Sequence, residues 1–239
     1  MLALTAIIAG GTACQRRNEA KERIEQQRTN WYASLPDSLE AVKRATDSIR
    51  NEIVTLGEQV DKLLPYFNYI DNPREVEGYY ISKDWASSYP LKTTGLVMRL
   101  TKGEKAELIA ALAGGAHFNR IRVTAGGMTA ESGIVPHDQA LNYRMDNLNT
   151  VCFSDSASDS CAKLIADNAG SEITIYYLNG DSQTGKLKYP AKSQATLAKT
   201  WQLYDLRRRT THGERMLPVL AKKASIISEK LERIEYDHR

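Results

Sequence analysis

The residues best suited to acid–base chemistry lie in one short stretch, VPHDQALNYR, in which His137 and Asp138 are adjacent. A histidine base needs a nucleophile and an orienting partner within hydrogen-bond reach. Ser132 lies upstream in sequence and would approach His137 only through the fold, and neighbours on a strand point to opposite sides. The pattern therefore favours a surface or binding role for His137 and Asp138. A hydrolase that uses this region stays open as an alternative.

The chain has three cysteines, Cys14, Cys152 and Cys161, and no C-x-x-C motif. Cys152 lies on a predicted strand and Cys161 near the start of the following predicted helix. In an oxidising compartment these two residues are candidates for a disulfide. The alternative is that both stay reduced and are buried as small apolar side chains.

The motifs of the common enzyme and cofactor classes are absent from the sequence. The other histidines, His117, His212 and His238, lie far apart and lack the spacing of metal ligands. There is no H-E-x-x-H, G-x-S-x-G, P-loop or G-x-G-x-x-G pattern. We therefore expect no metal, no cofactor and no catalysis.

A basic cluster near the C-terminus comprises Arg207, Arg208 and Arg209, with Arg215 close by. Such a cluster can contact an anionic surface, such as lipid headgroups or glycan phosphates. It can equally be a solvated helix face whose arginines have carboxylate partners. The net charge of the chain, +3, is too mild to indicate a nucleic-acid partner.

The N-terminus begins with MLALTAIIAGGTACQRR, an apolar run followed by small residues and Cys14. The run is too short to span a bilayer and has the length of a signal-peptide core. It resembles the bacterial lipoprotein signal, which implies a signal peptide over residues 1–13 and a lipidated Cys14 that anchors the chain in a membrane. Gln15 in the next position implies sorting to the outer membrane, facing the periplasm. The alternative is an apolar segment that packs on the folded body.

Two segments with heptad patterns bracket the middle of the chain. Residues 14–36 read as a charged helical tether, and residues 37–65 as a coiled-coil helix that Asp37 or Ser38 caps and Pro65 ends. Residues 193–239 read as C-terminal helices, kinked or interrupted at Gly213 and Pro218. The first seam contains the apolar residues Leu39, Val42, Ile49, Ile53, Leu56, Val60 and Leu63.

Narrow apolar seams need partners, and we expect the two segments to pair as an antiparallel hairpin, a stalk roughly 40 Å long. Packing of each helix on the middle domain, or a homodimeric coiled coil, remains an alternative. The middle, residues 66–192, contains short alternating runs such as RIRVTA, bounded by turn residues. With one helix after Asp155, this segment predicts a mainly antiparallel sheet. The fold class is therefore α+β.

This layout resembles uncharacterised lipoproteins of Bacteroidetes-type bacteria, a resemblance that implies an envelope location and no defined activity. The resulting expectation is a lipid-anchored scaffold or binding protein that presents its sheet domain to an envelope protein or polymer. An adaptor-like subunit of an export or efflux assembly is an alternative. Those adaptors insert the hairpin within a sheet domain, whereas the order here is inverted.

Overall fold

A computed structural model describes residues 8–73 and 75–237 of the chain, with side chains from Arg17 to Tyr236. Residues 1–7 of the predicted signal peptide and the side chain of Cys14, the predicted lipidation site, lie outside the described residues. Helices account for 51% of the chain and strands for 26%, in two antiparallel sheets, which confirms the α+β class. The helices are α1 (Ile8–Ala33), α2 (Leu35–Leu63), α3 (Lys83–Ala86), α4 (Ser156–Asp167) and α5 (Ala191–Asp237), with a 3₁₀ turn at Leu64–Tyr66.

The strands are β1 (Phe67–Ile70), β2 (Tyr79–Ser82), β3 (Gly95–Thr101), β4 (Ala106–Ala113), β5 (Arg120–Ala125), β6 (Met128–Glu131), β7 (Asn142–Met145), β8 (Leu148–Phe153), β9 (Ile173–Asn179) and β10 (Ser182–Lys188). Six of them form one sheet in the order β1-β2-β3-β4-β8-β7, and four form a second in the order β10-β9-β5-β6. The chain divides into a helical unit, Met1–Ile53 with His212–Arg239, and a sheet unit, Val54–Thr211.

The six-stranded sheet is covered on both faces at its centre. Val97 pairs with Ile109 on one face and Met98 with Leu108 on the other, and all four side chains are buried. Such strands lack the alternation of a half-exposed sheet. The sequence of β4, AELIAALA, is accordingly apolar on both faces and would suit a helix as well as a strand.

The four-stranded sheet follows its sequence pattern closely. In β5 the side chains of Ile121 and Val123 are fully buried, while Arg120 and Arg122 between them stay partly exposed. The hairpin of β9 and β10 turns at Gly180, whose φ of 58° is one that glycine adopts without strain. The dipeptide Asn179-Gly180, which is typical of tight hairpin turns, therefore occupies such a turn here.

One hydrophobic core joins the two sheets with α4 and the first turns of α5. The N-terminus of α4 is capped by Asp155, whose carboxylate accepts a hydrogen bond from the Ser158 amide at 2.6 Å. Gly170, with φ of 96°, follows the helix in the left-handed conformation that glycine commonly adopts after a helix C-terminus. The side chains of Cys161 and Ile165, on the buried face of α4, pack in this core.

In the helical unit, α2 and α5 pack antiparallel, as the heptad patterns predicted. Leu35, Val42 and Ile227 form the buried centre of this contact. Two contacts show that the helices run in opposite directions. Gly213 lies against Ile53, and the ammonium of Lys230, later in α5, lies 4.5 Å from the ring centre of Trp31, which is earlier in the chain than Ile53. The partly buried side chains around this centre are Tyr32, Leu39, Leu220, Ala224, Leu231 and Ile234.

The predicted start of α2 is wrong, and of the kink or interruption predicted within α5 the interruption is wrong. The helix α5 runs without interruption through Gly213 and Pro218, because the apolar contacts that follow Pro218, at Leu220 and Ala224, hold its next turns against α2. The helix α2 begins at Leu35 and not after Pro36, since proline is tolerated in a first turn, where its missing N–H has no helical partner. Asp37 therefore lies inside the helix and does not cap it.

Two helical glycines provide a matched test of this packing. An added Cβ at Gly57 meets no atom within 4 Å, whereas at Gly213 it lies 3.0 Å from Ile53 Cγ1. We expect Gly57→Ala to raise the free energy of unfolding by about 0.5–1 kcal/mol, because alanine is the better helix former. Gly213→Ala should gain less or lose stability, as measured by urea unfolding. Equal gains at both positions would contradict the described packing of α2 on α5.

Candidate functional site

Asp138 does not orient His137 for catalysis but closes a turn before β7. Its Oδ1 accepts hydrogen bonds from the backbone amides of Ala140, Leu141 and Asn142, at 2.8, 2.5 and 3.1 Å. These backbone hydrogen bonds lower the pKa of the Asp138 carboxyl below its ordinary value. The Asp138 amide also donates to the carbonyl of Asn142 at 3.0 Å. The carboxylate therefore has a local structural task.

Ser132, the nearest hydroxyl in sequence, is buried and satisfied by backbone groups. Its Oγ accepts from the amide of Ile121 and donates to the carbonyl of Gly133, both at 3.0 Å. A nucleophile needs its hydroxyl directed at a base. These contacts give the hydrolase alternative no support.

The two cysteines of the sheet unit are free thiols. Cys152 is half-buried in β8, and Cys161 is buried in α4. Burial raises the pKa of both thiols to about 12. Because the thiolate is the reactive form, neither cysteine has the environment of a nucleophile.

The arginine cluster lies along α5 and its guanidinium groups have neighbours. Arg207 lies 3.4 Å from the carboxylate of Glu104 and stacks over the ring of Tyr80, and Arg208 lies 3.1 Å from Asp205. Arg209 also has a partner. This arrangement is the helix face with carboxylate partners that the sequence left open.

A groove of about 490 Å³ lies on the six-stranded sheet, and none of the residues singled out from the sequence lines it. Its floor comes from the ends of β4, β8 and β7, and its wall from the connection between α3 and β3. The residues that line it are Pro90, Leu91, Lys92, Ala113, Tyr143, Met145, Asp146, Asn147, Leu148 and Thr150. The lining is mainly apolar, with Lys92 and Asp146 supplying charges of opposite sign.

The wall of the groove is fastened to the sheet by a buried guanidinium. Arg99 in β3 donates to the hydroxyl of Tyr89 at 3.0 Å, and Tyr89 directly precedes the wall residue Pro90. The same group lies 4.3 Å from the ring centre of Tyr79. At the other end of the connection, the Thr94 hydroxyl accepts from the amide of Ala113 at 3.1 Å. Both ends of the wall are therefore held.

Two carboxylates compensate the buried charge of Arg99. Nε of Arg99 donates to Glu107 at 2.5 Å and Nη1 donates to Glu75 at 2.6 Å. Burial alone would lower the pKa of Arg99, but Tyr89, Glu107 and Glu75 outweigh it and raise that pKa. Only 13% of the Arg99 side chain is exposed. The guanidinium is thus always charged and fixed in direction.

The register places the groove and Arg99 on the same face of the sheet. Arg99 pairs with Glu107 on β4, and Ala113 on the same strand pairs with Leu148. Because Glu107 and Ala113 are an even number of residues apart, their side chains and those of their partners lie on one face. A concave, largely apolar site with a few placed polar groups is the usual form of a binding pocket. A groove with this lining can bind an apolar ligand, and Lys92 and Asp146 can orient that ligand through its polar groups.

The fold also brings together two histidines that are far apart in sequence. The ring centres of His117 and His137 lie 6.0 Å apart, although the two residues come from different connections. Their distance along the chain hid this proximity. His238 lies outside the described residues, and His212 belongs to the helical unit.

Comparisons with known proteins give no match: no protein-family model, no curated protein and no solved structure. Within the described part of the chain, no helix combines the length and apolar character needed to cross a membrane. Within the same part, no set of three or more His, Cys, Asp or Glu side chains is grouped to hold a metal ion.

The role of Arg99 predicts a large effect of its removal. Arg99→Met should lower the free energy of unfolding by about 3 kcal/mol, because it leaves the partly buried carboxylates of Glu107 and Glu75 without their cation. Hydrogen exchange of the backbone amides in residues 87–94 should also accelerate.

Arg122→Met is the matched control, since Arg122 is 41% exposed and its partner Glu131 also pairs with Arg120. Arg122→Met should lower the free energy of unfolding by less than about 1 kcal/mol. Similar losses for the two variants in urea unfolding would show that Arg99 is not a buried anchor.

Proposed function

We propose that this chain is a lipid-anchored binding or scaffold protein of the bacterial cell envelope, with no catalytic role. Its groove on the six-stranded sheet receives an apolar peptide segment of an envelope partner. The observation that carries the proposal is the groove itself, a mainly apolar concavity whose wall is held at Tyr89 and Thr94. A wall that is already ordered saves much of the entropy that a partner would otherwise lose on binding.

A peptide segment fits the groove better than a polar ligand does. Tyr143, Met145 and Leu148 present apolar surface, and aromatic and methionine side chains are enriched where proteins bind one another. Met145 is 65% exposed in the isolated chain. Lys92 and Asp146 would orient the segment through its polar groups.

The first helix supports the anchoring part of the proposal. From Arg17 to Trp31 every side chain of α1 is exposed. A helix that is polar all round is typical of a solvated connection and not of a buried element. A tether of this kind between Cys14 and the folded units suits a lipid anchor in the outer membrane that faces the periplasm.

Photo-crosslinking in living cells tests the groove. With benzoylphenylalanine in place of Met145, we expect a discrete adduct, because this side chain lines the groove. With the crosslinker in place of Met128, which is similarly exposed at 52% on β6, we expect none.

A charged substitution in the wall of the groove tests whether the adduct depends on binding there. Leu91→Glu should abolish the adduct from position 145, whereas Met128→Glu should leave it unchanged. Adducts that survive Leu91→Glu, or equal adducts from both positions, would contradict binding in the groove.

Metabolic labelling tests the anchor separately. Wild-type chain grown with labelled palmitate should carry the label and sediment with membranes, and Cys14→Ser should lose both properties. The double variant Cys152→Ser/Cys161→Ser serves as control and should keep the label, because its thiols belong to the folded sheet unit. An unlabelled wild-type chain would refute lipidation at Cys14.

A further inference from the structure

The His117–His137 pair lies outside the groove lining and has no role in the proposed function. His117 follows β4 and His137 follows β6, and both side chains are exposed. Their rings meet edge to face, with centres 6.0 Å apart and an interplanar angle of 80°. Two imidazoles from separate connections are thus brought together at the surface.

Buried amides hold the two connections in register. Asn142, only 3% exposed, donates through Nδ2 to the carbonyls of Phe118 at 3.3 Å and Val135 at 2.8 Å. Asn149, fully buried, also donates to the Phe118 carbonyl at 3.3 Å. The Val135 amide donates to the carbonyl of Asn119 at 2.9 Å. The backbones that carry the histidines are therefore fixed relative to each other.

Imidazole nitrogen is the commonest protein ligand of transition metals. With metal–nitrogen bonds of about 2.0–2.1 Å, two imidazoles on one tetrahedral ion have ring centres roughly 5 Å apart. The observed separation exceeds this by about 1 Å, which exposed side chains can close by small rotations. The pair therefore needs no backbone movement to share an ion.

We propose that His117 and His137 together bind one divalent transition-metal ion, with water in the remaining positions. Oδ1 of Asp138 is engaged by three backbone amides, and among the described residues no third His, Cys, Asp or Glu side chain is grouped with the two imidazoles to hold a metal ion. The order of affinity for nitrogen ligands places Cu²⁺ above Zn²⁺. Mg²⁺, which prefers oxygen ligands, should not bind at this pair.

The test is a titration of the full chain in detergent with Cu²⁺ alone, followed by electron paramagnetic resonance. Wild-type chain should bind one ion whose spectrum shows hyperfine splitting from two imidazole nitrogens. His117→Ala and His137→Ala should each weaken binding by about tenfold or more and leave one nitrogen. His212→Ala removes a histidine of the helical unit and should change nothing.

Three results would overturn the proposal: no bound Cu²⁺ in the wild type, an unchanged two-nitrogen spectrum in either variant, or an equal loss in His212→Ala. Zn²⁺ in large excess should displace the copper, whereas the same excess of Mg²⁺ should not. Because both side chains are exposed, the alanine variants should keep the thermal unfolding temperature of the wild type. His137→Asn, which retains a polar side chain, should lose affinity to the same extent as His137→Ala.

Discussion

A charged guanidinium inside a sheet that is covered on both faces is the constraint on which the groove depends. Arg99 cannot lose its proton, so its burial requires anions nearby. Glu107 comes from the neighbouring strand in direct register, and Glu75 from the connection before β2. The hydroxyl of Tyr89 completes the set. One side chain thereby ties together a strand pair, a connection and the wall of the groove.

The elements that could be predicted from sequence are those whose signals are local. The alternation of Ile121 and Val123 with arginines predicted β5, and the heptad rows predicted the pairing of α2 with α5. The polar residues from Asp155 to Ser158 predicted the start of α4, and Asp155 is the one that caps it. The interruption at Pro218 was wrong because packing against α2 outweighs the weak helix propensity there. Helix preference acts within a few residues, whereas this packing joins segments far apart in sequence.

The candidate sites escaped the sequence analysis for the same physical reason. The groove exists because β8 inserts between β4 and β7 and because the segment with Pro90 and Leu91 folds onto this face. Neither fact leaves a short motif. The adjacent pair His137 and Asp138 was conspicuous in sequence, yet the fold directs Asp138 to backbone amides and sets His137 beside the distant His117. Proximity along the chain proved a poor guide to proximity in space.

The central claim is that the groove is filled in the envelope and open in the isolated chain. Methionine oxidation footprinting, compared between intact cells and purified protein, tests it most directly. Met145 in the groove is 65% exposed and Met128 outside it is 52% exposed, so both should oxidise readily in purified protein. In cells, oxidation of Met145 should fall severalfold while that of Met128 stays unchanged. Equal oxidation of Met145 in cells and in purified protein would contradict an occupied groove.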